Sequence, residues 1–190
     1  MSRLAVIFPG IGYGNDKPLL YYTERLIRRE FGLAVVCVEY SEMPRSIKGD
    51  PEKMREAVSQ ALADAGDCLS GVDISRYDGL LFISKSLGSV VAGIAAQNLP
   101  IPCEHVLFTP MPEAFEYIAE GSGIAFNGTE DPWTEIEQIE TLCEEKNIRL
   151  YVIPDADHSL ETGDTDEDIR ILKKALKKVR KYLRKEAVDE

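Results

Sequence analysis

Residues 79–98 constrain the fold more than any other stretch. An apolar run, Gly79-Leu80-Leu81-Phe82-Ile83, enters Ser84-Lys85-Ser86-Leu87-Gly88-Ser89 and leaves as the apolar pattern Val90-Val91-Ala92-Gly93-Ile94-Ala95-Ala96. Apolar residues on consecutive positions mark a strand covered on both faces, as in a parallel sheet held between layers of helix. Ser86 sits in the turn between strand and helix, with small residues two positions before and two after it. A tight strand-to-helix turn brings neighbouring backbone against those flanks. Ser84 and Gly88 therefore meet the steric demand of a nucleophile elbow, with Ser84 a tolerated departure from the stricter glycine. Taken alone, a serine in that place is often only a helix cap.

A serine hydroxyl at its ordinary pKa is a poor nucleophile and needs a base, itself oriented by a third group. The chain has two histidines. His158 follows the apolar run Leu150-Tyr151-Val152-Ile153, in Asp155-Ala156-Asp157-His158-Ser159. His105 opens His105-Val106-Leu107-Phe108, ahead of every candidate acid, and reads as a strand-edge residue with a satisfied hydrogen bond. Between Ser86 and His158 lies Phe126-Asn127-Gly128-Thr129-Glu130-Asp131-Pro132-Trp133. Asp131 is the preferred acid, with Glu130 competing and a plain turn residue before proline as the bland account. Lys85 lacks the Ser-x-x-Lys spacing of lysine-based hydrolases and is expected to point away from Ser86. The order Ser86, Asp131, His158, each at a strand end, differs from the orders used by the chymotrypsin and subtilisin folds.

With these residues in place the sequence resembles the α/β-hydrolase family, in particular its small, lidless serine esterases. Four motifs carry the likeness across nearly the whole chain: the elbow, Gly-Thr-Glu-Asp-Pro, Asp-Ala-Asp-His-Ser, and Phe8-Pro9-Gly10-Ile11-Gly12 after the first apolar run. The resemblance implies Ser86 as nucleophile, His158 as base and then acid, and Asp131 as the group orienting the imidazole. It also implies an oxyanion hole built from the N–H of Leu87 and an N–H of the Pro9-Gly10-Ile11 turn. Ile11 is the preferred second donor, with Gly10 and Gly12 as alternatives; Pro9 stands where the family commonly has histidine. The implied activity is hydrolysis of an ester or thioester of a small acyl group, with no cofactor and no metal. Loops at the strand ends are short, so an open cleft without a cap domain is expected, lined by Gly10, Gly12, Tyr13, Met43, Met111 and Trp133.

The rest of the chain fits a doubly wound α/β sandwich. Candidate strands are 4–8, 34–39, 79–84, 104–109, 123–127 and 149–153; candidate helices are 18–30, 51–69, 87–98, 112–119, 134–146 and 165–187. Asp50-Pro51 supplies a cap and a first-turn proline, and Thr134 with Glu137 reads as a capping box. At 190 residues and 44% hydrophobic the chain suits one α/β-hydrolase domain over 1–190 with a sizeable core. The ligand site is expected beyond the carboxyl ends of the strands.

Four widely spaced cysteines without a Cys-x-x-Cys pair read as reduced core thiols of a cytoplasmic protein. No run approaches the roughly 20 apolar residues of a membrane span. The formal charge of −11 argues against nucleic acid or membrane as a partner and leaves a small-molecule ester or thioester. Nine basic residues in 170–185 set a basic last helix against an acidic body, most simply a solvated face with intramolecular attraction. In that helix Ile169, Leu172, Leu176, Val179 and Leu183 read as the core-facing stripe. Asp164-Thr165-Asp166-Glu167-Asp168 begins like a calcium loop but has Ile169 where glycine belongs, so acids favoured by a helix N-terminus are the better account.

Two readings from other classes stand beside the hydrolase. One is a non-catalytic binding protein on the same fold. The other is a dinucleotide-binding protein using Gly10, Gly12 and Gly14, which the spacing of the third glycine and a late helix start disfavour.

Overall fold

The computed structural model describes residues 2–44 and 47–185. Strands β1 (Arg3–Phe8), β2 (Ala34–Cys37), β3 (Gly79–Lys85), β4 (Cys103–Phe108), β5 (Gly123–Gly128) and β6 (Arg149–Ile153) form an all-parallel sheet in the order β2-β1-β3-β4-β5-β6. The connecting helices are α1 (Pro18–Leu26), which continues as a π-turn through Phe31, α2 (Pro51–Ser70), α3 (Leu87–Gln97), α4 (Ile136–Glu145) and α5 (Thr165–Arg184). Every strand lies within two residues of the range expected from the apolar runs. Residues 186 and 187, the expected end of the last helix, lie outside the described residues.

The consecutive apolar positions are explained by two covered faces. Ala5, Ile7, Leu81, Ile83, Val106, Phe108 and Phe126 point to the layer of α1 and α5. Their neighbours Leu4, Val6, Phe8, Leu80 and Phe82 point to α2 and α3, where Ala57, Ala61 and Ala65 let α2 lie close. Leu107 and Ala125 meet Ile139 and Cys143 of α4. Each large side chain so buried contributes on the order of 1.5–3 kcal/mol. Strand order turns back at β1, which pairs with both β2 and β3. The loops after β1 and β3 therefore diverge over one crevice, where such sheets hold ligands.

Asp50 caps α2 as expected, its carboxylate accepting the N–H groups of Glu52 and Lys53. Three local expectations are corrected. Thr134 and Glu137 form no capping box; the Thr134 hydroxyl faces the buried Asn127 amide at 3.4 Å, and the helix starts two residues later. Residues 112–119 make only a 3₁₀ turn, Pro112–Glu116, because too few residues remain before the left-handed Gly121 for a cooperative helix. The buried line of α5 is Ile171, Ala175, Val179 and Leu183, with Leu172 and Leu176 at its flank and Ile169 59% exposed. Ala175 is too small to stand out in an apolar pattern, and the buried line runs one position round the helix from the larger apolar residues.

The acids opening α5 are used by the backbone. Asp164 accepts the Glu167 N–H, and Asp168 accepts both the N–H and the hydroxyl of Thr162. The basic side of α5 is partly neutralised in place: Arg180 grips Glu30 with two bonds of 2.7 Å, and Lys178 lies over the Tyr151 ring. The four thiols are free. Among the described residues no helix is long and apolar enough to cross a membrane.

His105 is not at a strand edge with a satisfied bond. It sits inside β4, 1% exposed, with Nδ1 unpartnered and its ring against Phe82. Burial pushes its pKa down to about 4. The unfolded chain then binds a proton that the folded chain refuses, so folding stability falls as pH drops from about 6.5 to about 4, by on the order of 3 kcal/mol from this residue. His105→Gln is expected to flatten that part of a denaturant-melt pH series; an unchanged slope would assign the acid sensitivity elsewhere.

Candidate active site

β3 delivers Ser86 in a conformation that few residues adopt, φ 54° and ψ −125°. Strain of this kind costs on the order of 1–3 kcal/mol and persists only where surrounding bonds impose it. Here they do. The Ser86 N–H donates to the Phe108 carbonyl at 3.1 Å, and the Ser86 carbonyl accepts from the Ser89 N–H at 2.8 Å and the Ser89 hydroxyl at 2.6 Å. A side chain at Gly88 would stand 2.3 Å from the Phe8 carbonyl oxygen, so only glycine lets α3 start against the end of β1. Ser84 fits without a partner for its hydroxyl.

The loops after β5 and β6 bring the partners. His158 Nε2 lies 2.8 Å from Ser86 Oγ, and His158 Nδ1 lies 2.7 and 2.9 Å from the two carboxylate oxygens of Asp131. The Asp131 side chain is fully buried and also accepts the Trp133 N–H at 2.9 Å. With Nδ1–H held by the carboxylate, Nε2 presents its lone pair to the serine hydroxyl. Glu130 is exposed, and only its backbone N–H reaches inward, to the Ala156 carbonyl. The two loops meet closely enough that a Cβ on Gly128 would overlap the Ala156 oxygen, 2.0 Å away. Burial holds the His158 pKa below the usual imidazole value, against the opposing pull of the Asp131 hydrogen bond.

The glycine turn after β1 packs on the elbow, with Gly10 against Ser86 Cβ and the Lys85 carbonyl. Its N–H is bonded within the turn to the Tyr13 carbonyl at 3.1 Å. The N–H groups of Ile11 and Gly12 have no backbone acceptor among the described residues, and that of Leu87 belongs to the unpaired first turn of α3. α1 begins only at Pro18, away from these glycines, so no helix N-terminus backs them as a pyrophosphate site would require.

Met111 and Trp133 line an apolar groove of about 790 Å³ between α2 and α3, together with Met54, Val58, Val90 and Ile94. Trp133 lies 5.6 Å from the His158 ring, centroid to centroid. Gly10, Gly12 and Met43 line a separate, more polar hollow of about 840 Å³. Tyr13 lies in neither: it is buried under the glycine turn, its hydroxyl accepting the Leu19 N–H and its ring facing Lys85. Three contributors went unassigned in the sequence. Ser89 ties Ser86 to the Met111 N–H; Thr109 bonds the His158 carbonyl; Lys85 turns its amine to Thr109. A lysine inside an otherwise uncharged strand was the available signal for the last.

The all-parallel sheet with helices on both faces is that of the α/β-hydrolase fold. Solved structures agree. A lidless α/β serine hydrolase from Xanthomonas campestris superposes with a TM-score of 0.63 at 16% identity, over 99% of this chain and 84% of the other. An α/β serine hydrolase homologue from Coxiella burnetii gives 0.65 at 15%, over 94% and 85%. The esterase Pf2001 of Pyrococcus furiosus gives 0.56 at 13%, over 93% and 83%. No protein-family model matches the sequence, and no curated protein matches it.

Proposed function

We propose that this protein is a serine hydrolase that cleaves an ester or thioester of a small to medium acyl group through an acyl-enzyme. The observation that carries the reading is the unbroken hydrogen-bonded relay Ser86-His158-Asp131, whose histidine ring lies beside Trp133, a wall of the apolar groove. His158 Nε2 takes the Ser86 proton as Oγ attacks the carbonyl carbon. Asp131 stabilises the imidazolium so formed. The N–H groups of Leu87 and Ile11 hold the developing oxyanion. Collapse expels the alcohol or thiol, which leaves with the proton from His158, and water activated by the same imidazole then releases the acid.

The groove is the proposed acyl site, because Trp133 and Met111 connect it to the relay. Its walls take a chain of several carbons, more than the smallest acyl groups need. Activity on p-nitrophenyl esters and acyl thioesters of graded length is expected to rise while added methylenes enter the groove, each worth about 0.8 kcal/mol, and to fall once the chain outgrows it. Rates should follow monomeric substrate smoothly across the micelle threshold, since among the described residues no cap domain is inserted between the strands. A sharp rise above that threshold would reveal a lid-like or surface-binding device; no turnover of any ester or thioester in the series would remove the hydrolase reading.

A further inference from the structure

β3 is buried along its whole length, and its one charged residue is Lys85, 1% exposed. Its amine donates to Thr109 Oγ1 at 2.5 Å and stands 5.1 Å from the centre of the Tyr13 ring. Thr109, at the left-handed φ of 40°, accepts that bond and uses its own proton on the His158 carbonyl at 3.1 Å. Lys85 forms no ion pair among the described residues. Burying a cation without a bonded carboxylate costs several kcal/mol, and an apolar side chain of similar length would fill the same space at no such cost. A position that breaks the local rule in this way belongs to a working site more often than to a scaffold.

Its surroundings are those of the relay. The charged and titratable groups facing Lys85 are Asp131 from the β5–α4 loop, Asp157 and His158 from the β6–α5 loop, and Tyr13 from the β1–α1 loop. We propose that Lys85 is a positioning residue for the His158 base: through Thr109 it fixes the backbone of the histidine loop from beneath, and its charge sets the pH range over which His158 accepts a proton. This rests on the reading of Ser86, His158 and Asp131 as a hydrolase relay.

The hydrogen-bond direction makes the link specific. A donor at Lys85 forces the Thr109 hydroxyl to act as acceptor on one side, leaving its proton for the His158 carbonyl on the other. The electrostatic part has a definite sign. Burial lowers the Lys85 pKa to about 7, so near neutrality the amine exchanges its charge, and while positive it disfavours the imidazolium. Removing the charge lets His158 hold its proton to higher pH, which moves the acid limb of activity upward.

The test follows the full-length protein by two readouts. One is NMR titration of the His158 imidazole, which needs no substrate; the other is the pH dependence of labelling by a fluorophosphonate. In Lys85→Met and Lys85→Gln the His158 titration is expected to rise by about half a pH unit or more, with the acid limb of labelling rising in step. Thr109→Val keeps the amine and cuts the link; it should slow labelling on the plateau without moving the limb, and it serves if the Lys85 variants do not fold. Folded Lys85 variants with unmoved titration and limb would overturn the proposal, as would a Thr109→Val plateau equal to wild type. Failure of the unaltered protein to label would instead remove the hydrolase reading, while the NMR titration would still report whether Lys85 acts on His158.

Discussion

Ser86→Ala is expected to abolish fluorophosphonate labelling and to lower ester turnover by roughly a million-fold, the scale seen when the nucleophile of such a relay is removed. The phosphonate needs an activated serine and an oxyanion site but little substrate recognition, so it separates a hydrolase from a binding protein on the same fold. Among the described residues the Ser86 hydroxyl bonds only to His158, and the turn itself is held by bonds to Phe108 and Ser89. The variant should therefore keep its melting temperature within a few degrees. Labelling that survives in Ser86→Ala would move the nucleophile to another serine.

Asp131→Asn should retain the fold and lower turnover by about ten-thousand-fold. The amide presents a donor to His158 Nδ1, which favours the wrong tautomer, and removes the charge that stabilises the imidazolium. Asp131 also receives the Trp133 N–H, a bond the amide oxygen can still accept. Glu130→Gln should change turnover by less than about twofold, because its side chain is exposed and only its backbone reaches the histidine loop. The opposite ranking of the two variants in kcat/KM would move the acid to Glu130.

Apolar runs made the sheet legible because both faces of the inner strands are covered, which leaves little room for other residue types. The relay was legible for a similar reason: serine, aspartate and histidine stand at strand ends in an order few folds share. Asp131 and Glu130 are neighbours in the sequence, and the depth of the two side chains separates them physically. Misreadings came where tertiary contacts outweigh local pattern. Thr134 looked like a cap and is claimed by Asn127; Ile169 looked apolar enough to be core and is exposed because Ala175 marks the buried line. Tyr13 sat in a turn that suggested a cleft, yet packs beneath it over Lys85. Lys85 and Thr109 meet across 24 positions of sequence, so the charge in an apolar strand marks Lys85 but not its partner.

The Ser89 hydroxyl is shared, donating to the carbonyl of Ser86 and accepting the N–H of Met111, which lines the groove. One side chain thus couples the strained turn at Ser86 to a wall of the groove. On the proposed hydrolase reading, an acyl chain filling the groove would press on the turn that aims Oγ, and binding energy gained far from the carbonyl would be spent on alignment at it. Selectivity among acyl lengths would then be written into kcat as well as KM.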